Sequence, residues 1–209
     1  MMGIARTWYS PEVASRLPIS IRPIVFASIL CLLSGCASAP DNFYRLSADG
    51  ELPAVRGAGG GALSIGLGPV KIPDYIDRAE LVFESAANRF EIPSDHRWAG
   101  SLGKSVTSVL AADLGHRLET PAVYAYPWDP GVALRYSVPV RVRQFHAVSG
   151  GDAILDVSWE VRDAASGDTL QRGSELFREA LTEEGYDGVV AAQSRLLGQL
   201  ADAVADQLR

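Results

Sequence analysis

Apolar and polar positions alternate almost without fault from Ile154 to Val161. Leu155, Val157, Trp159 and Val161 fall on one side, with Asp156, Ser158, Glu160 and Arg162 on the other. This predicts a strand with one buried and one wet face. The same period runs through Val138, Val140 and Val142, with Pro139, Arg141 and Arg143 opposite, so Leu134 to Val148 is a second long strand. Ser149-Gly150-Gly151-Asp152 between them reads as a hairpin turn. Arg141 and Arg143 are expected to face Asp156 and Glu160 across it, each pair worth about 0.2–1 kcal/mol. A second turn at residues 164–168 and a third strand, Thr169 to Ala180, complete a meander.

The period changes to helical over Trp98 to Leu118. Trp98, Leu102, Val106, Val109, Leu110, Leu114 and Leu118 form one apolar stripe, with an N-cap expected from Pro93-Ser94-Asp95. A final helix is expected from about Tyr186 to Leu208, burying Val189, Val190, Leu196, Leu197, Leu200 and Val204. Shorter strands are expected at Phe43–Leu46, at Ala62–Leu67 up to Gly68-Pro69, at Leu81–Phe83, at Arg89–Ile92 and at Val123–Tyr126. Pro73 and Asp74 should open a short helical turn over Tyr75 to Arg78. No polar linker splits residues 62–208. The pattern therefore predicts one α/β domain: a mixed, largely antiparallel sheet with two main amphipathic helices packed on it.

Ahead of this domain stands an apolar run, Ile24 to Leu33, with Arg6, Arg16 and Arg22 before it. It is too short to span a bilayer, which takes roughly 20 residues. It has the length of a signal-peptide core. Leu33-Ser34-Gly35-Cys36 follows and resembles a bacterial lipobox. The resemblance implies cleavage before Cys36, a diacylglyceryl thioether on its sulfur and an acylated N-terminus, palmitate among the chains. Two or more chains anchor a protein stably, whereas one does not. The alternatives are an ordinary secretory signal cut at Ala37-Ser38-Ala39 and a buried core helix. On the lipoprotein reading, residues 1–35 are signal peptide. Residues 36–61 are a tether, first strand and glycine-rich loop, and residues 62–209 are the domain. Ala37 stands where Asp favours inner-membrane retention in some sorting codes, which leans the expectation towards the outer membrane.

The chain carries a formal charge of −6. Losing three Arg and one Glu with residues 1–35 takes the remainder to −8. Nucleic-acid binding rests on clustered Lys and Arg, so an acidic balance argues against it. The two cysteines are Cys31 and Cys36. One leaves with the signal and the other is acylated, so neither a disulfide framework nor a cysteine metal site is expected. The glycines at 57–61 lack the Gly-Lys-Ser/Thr of a phosphate loop and read as a flexible loop.

No catalytic set, cofactor motif or metal-ligand spacing stands out. His96 beside Asp95 reads as part of a helix cap, His116 suits a helix C-terminus, and His146 lies on a strand. Asp74 and Asp77 are three apart, as an acid/base pair could be, but beside Tyr75 and Arg78 they read as fixing a turn. An envelope hydrolase acting on lipid or peptidoglycan would have to use Asp74, Asp77 or His96. A lipid-binding shuttle would need a cavity walled by Trp98, Leu102 and Val106, which otherwise read as core.

Several of these segments together resemble the ABC-type transport auxiliary lipoproteins, the PqiC-like lipoproteins. The matching residues are Cys36, Phe43-Tyr44-Arg45-Leu46, Gly68-Pro69-Val70, Pro73-Asp74-Tyr75-Ile76-Asp77-Arg78, then Trp98, Leu102, Tyr136 and Trp159. The resemblance covers nearly all of residues 36–209. It implies an α/β sandwich and no enzyme activity. It implies a periplasm-facing subunit that docks MCE-domain (mammalian-cell-entry) and ABC transporter partners moving lipids or other hydrophobic molecules between the two membranes. Within it, Pro73, Asp74, Tyr75, Asp77 and Arg78 are candidate partner-binding residues. Residues 68–78 have a second reading, a structural clasp over the sheet edge. The meander ends in an edge strand that needs cover, so a homo-oligomer is possible.

Overall fold

The structure, a computed structural model, describes residues 40–49 and 63–209. The signal peptide, the lipobox with Cys36 and the glycine cluster at 57–61 lie outside the described residues. In chain order the elements are β1 (Asn42–Tyr44), β2 (Ile65–Lys71), β3 (Phe83–Ala86), β4 (Arg89–Glu91) and β5 (His96–Trp98). Helix α1 (Leu102–Arg117), β6 (Val123–Ala125), β7 (Tyr136–Val148), β8 (Asp152–Asp163), β9 (Thr169–Ala180) and helix α2 (Gly185–Leu208) follow.

The meander forms as its alternation requires. β7 and β8 are antiparallel, with Val140 opposite Trp159 and Phe145 opposite Leu155. β9 continues antiparallel to β8. The rest of the sheet is largely parallel. β2 lies along the first part of β7, from Ile65 beside Tyr136 to Lys71 beside Arg141. β6 is parallel to β2. β3 is parallel to the far end of β7, with Phe83 beside Ala147, and carries β4 antiparallel to it. The sheet is thus mixed, with two helices on it, as the pattern predicts. A separate parallel pair, β1 with β5, holds the first described residues.

Both helices cover the face that the alternation marks as apolar. Leu155, Val157, Trp159 and Val161 are all buried, as are Val138, Val140 and Val142. α2 packs over β8 and β9, α1 over β2 and β6, and the helices pack on each other. Trp159 lies flat across its cross-strand neighbour Gly173. A Cβ at Gly173 would stand 2.1 Å from the indole Cζ2, so only glycine leaves room for the ring. The indole N–H donates to Gln207 Oε1 at 2.9 Å, fixing β8 to the end of α2.

Several boundaries differ from the pattern. β3 runs over Phe83–Ala86 instead of Leu81–Phe83, and β7 starts at Tyr136 instead of Leu134. β2 runs on through Gly68-Pro69 instead of stopping there. The ladder to β7 shifts register between Leu67 and Val70, so Pro69 sits in an irregularity where no ladder donor is needed. Gly68 has φ 114°, a conformation that glycine adopts without strain. Trp98 belongs to β5 rather than to the first helix: its N–H donates to the Ala79 carbonyl at 2.7 Å. The helix starts only where Ser101 Oγ accepts from Lys104 N–H, so Ser101 and not the 93–95 segment is the cap. β1 is also shorter than Phe43–Leu46 and begins one residue earlier.

Of the two expected hairpin pairs, Arg143 meets Asp156, with Nε donating to Oδ2 at 2.9 Å. Arg141 does not meet Glu160. That carboxylate is taken by Arg162 and Arg172 instead, and the Arg143 and Arg162 pairs hold Asp156 and Glu160 on the open face of the sheet.

Candidate functional site

Neither β2 nor β3 pairs with β7 between Arg141 and Ala147. The chain joining β2 to β3 leaves the sheet at Lys71 and returns at Phe83, and this excursion contains Pro73 to Arg78. The turn within it is closed by the Pro73 carbonyl, which accepts from Ile76 N–H at 3.1 Å and Asp77 N–H at 3.2 Å. The carbonyl of Pro73, and not the Asp74 side chain, therefore fixes the turn.

The turn has an inner and an outer side. Ile76 is 1% exposed and inserted in the core. Tyr75, a candidate partner-binding residue, is half-buried and turned inwards. Its hydroxyl lies 3.1 Å from His146 Nδ1, and His146 Nε2 lies 3.4 Å from Glu84 Oε2. One tautomer satisfies both contacts: Nε2–H donates to the carboxylate and Nδ1 accepts from the tyrosine hydroxyl. Phe90 closes over the group, 4.9 Å from the Tyr75 ring and 5.1 Å from His146. Asp74, Asp77 and Arg78 point outwards and are exposed, and Pro73 is half-buried. Arg78 Nε donates to Glu80 at 3.1 Å and holds that carboxyl below the usual range. Glu80 also meets Arg97 of β5. The inner side is a clasp over the gap in the β7 ladder. The outer side presents two carboxylates beside a guanidinium.

His146 is fully buried, and desolvation pushes its imidazole below its ordinary value of about 6.5, against the opposing pull of Glu84. The neutral ring is therefore the folded form. Below pH about 6.5 the unfolded chain takes up a proton that the folded chain refuses, so stability falls with pH until the folded ring also titrates. The slope cannot exceed about 1.4 kcal/mol per pH unit. Denaturant melts at pH 7.5 and 5.5 are expected to show this loss, and a His146→Gln variant is expected to show less of it.

His96 is not part of a helix cap. Its Nδ1 lies 2.7 Å from the Tyr44 hydroxyl, and its ring stacks on Tyr186 at 3.5 Å. Together with the β1–β5 pairing, this seats the segment that follows the lipobox in sequence. Five residues beyond Tyr44, Asp49 N–H donates to Asp113 Oδ1 at 2.6 Å, and Arg117 bridges Asp49, Asp113 and Asp202. Burial pushes the Asp113 carboxyl up, opposed by the Asp49 amide and Arg117.

Among the described residues, Asp74 and Asp77 make no hydrogen bond or ion pair with His96, and no group of His, Cys, Asp and Glu could hold a metal ion. Trp98, Leu102, Val106 and Trp159 are all core residues. Sequence reasoning missed Glu84, Phe90 and His146 as partners of Tyr75.

The molecule's overall fold has solved counterparts. A crystal structure of an uncharacterized protein matches with TM-score 0.68 at 18% identity, covering 82% of this chain and all of that one. A structure from Xanthomonas campestris matches with TM-score 0.65 at 11% identity, covering 80% of this chain and 94% of that one. By sequence the chain is 23% identical over 184 residues to the intermembrane transport lipoprotein PqiC of Escherichia coli, covering 85% of this chain and 92% of that one. The Shigella flexneri PqiC matches to the same extent. The family described as the ABC-type transport auxiliary lipoprotein component matches residues 44–205. That match takes in the clasp, α1, the meander and α2 as far as Ala205, and on this ground the chain belongs to the ABC-type transport auxiliary lipoprotein family.

Proposed function

We propose that the protein is a non-enzymatic docking subunit of an MCE-type ABC transport system. It is held to a membrane of the bacterial envelope by a lipid on Cys36 and faces the periplasm. The system moves lipids or other hydrophobic molecules between the inner and outer membranes. The observation that carries this is the family match across residues 44–205. The PqiC name of the Escherichia coli relative, intermembrane transport lipoprotein, supports the same role here. Ala37 after the lipidated cysteine favours the outer membrane.

The partner-facing surface is the outer side of the clasp, Pro73, Asp74, Asp77 and Arg78, with Tyr75 holding it from beneath. A rigid, charged turn on a buried anchor needs little ordering on binding, and preorganisation of that kind favours affinity. Site-specific photo-crosslinking in membranes tests the surface. A crosslinker at Asp77 should capture an MCE-domain protein, and one at Glu183 should not. Equal capture at both positions, or none at Asp77, would sink the assignment.

A further inference from the structure

The face of the sheet opposite the helices carries a groove of about 520 Å³ on strands β2, β7, β8 and β9. Its floor is a row of cross-strand neighbours. Lys71 pairs with Arg141, Arg141 with Ser158, and Ser158 with Ser174. Each of these side chains can donate hydrogen bonds. Strands lie about 4.8 Å apart, so the row crosses about 14 Å.

The electrostatics single this groove out. Its lining holds four cations, Lys71, Arg141, Arg162 and Arg172, against one carboxylate, Glu160. That carboxylate is already paired with Arg162 and Arg172. Lys71 and Arg141 are exposed and, among the described residues, have no ion-pair or hydrogen-bond partner. Two like charges side by side on neighbouring strands oppose folding. An anion placed between them would relieve that repulsion.

We propose that this groove binds an extended acidic polypeptide segment, its carboxylates aligned along Lys71, Arg141, Ser158 and Ser174. The geometry favours a peptide over a phospholipid. The donors lie in a line across four strands instead of converging on one phosphate, and the larger apolar residues of the lining, Val140 and Trp159, are buried and offer little surface to acyl chains. A stretch of four to five extended residues spans about 14 Å. The surface is distinct from the outer side of the clasp, so neither assignment depends on the other.

The test uses purified full-length protein in neutral detergent and a fluorescein-labelled Asp/Glu-rich peptide, read by anisotropy. Its Asn/Gln counterpart and short-chain phosphatidylglycerol serve as comparison probes. The acidic peptide should bind at low salt and weaken as salt rises, and the Asn/Gln peptide should not bind. A Lys71→Ala/Arg141→Ala double variant should bind about tenfold more weakly, at an unchanged or higher melting temperature, whereas Lys104→Ala on α1 should bind as the parent does. Undiminished binding by the double variant would overturn the proposal. So would failure of the acidic peptide to bind at low salt, or binding of phosphatidylglycerol alone with dependence on Lys71 and Arg141.

Discussion

Replacing Cys36 with alanine is expected to move the protein out of the membrane fraction altogether. The apolar run before Cys36 is too short to span a bilayer. Among the described residues no helix is long and apolar enough to cross a membrane. Stable attachment of the proposed kind rests on the acyl chains of one residue, since two or more chains hold a protein and none does not. Fractionation of cells, with radiolabelled palmitate as a second readout, checks this. The parent should carry label and sediment with membranes. The variant should carry none and stay in the supernatant. A variant that keeps its label would show that Cys36 is not the lipidated residue.

The clasp provides the second large effect. Ile76 is 1% exposed and sits in the core at the place where β7 lacks a strand neighbour. Ile76→Ala is expected to lose about 2–5 kcal/mol, the range for truncating a buried aliphatic side chain. Asp77→Ala, one residue on, is expected to change stability by less than about 0.5 kcal/mol, because the carboxylate is exposed. Its loss should instead reduce partner capture. Equilibrium denaturation of both variants, beside crosslinking yields, separates the two sides of the turn. If Asp77→Ala were as destabilising as Ile76→Ala, the turn would be a clasp on both sides and the docking surface would lie elsewhere.

The meander was legible because alternation is a direct record of which face is wet. Val138, Val140 and Val142 on β7 and Leu155 to Val161 on β8 needed no further information. Beyond Val142 the apolar phase slips by one, to Phe145 and Ala147. That slip is the register shift of β7 against β8. It turns His146 onto the open face beneath Tyr75, and it is the one sequence signal that could have paired those residues. The parallel ladders were not legible, since nothing in Ile65–Lys71 or Phe83–Ala86 specifies that both should lie along one edge of β7. Trp98 fitted the helical stripe by spacing alone. Its strand conformation comes from its backbone bond to Ala79, a contact distant in sequence. Arg141 is expected opposite a carboxylate across the hairpin, and only the register of β2 on β7 places it beside Lys71.

The central claim is that this lipoprotein works as a docking subunit of an MCE-type transport system. Affinity purification of the full-length protein from membranes, with mass spectrometry of everything that co-purifies, tests it most directly. The account predicts recovery of an MCE-domain protein and its ABC transporter, with their yield falling in the Asp77→Ala variant. Recovery of the lipoprotein alone, correctly acylated and folded but with neither partner, would contradict it.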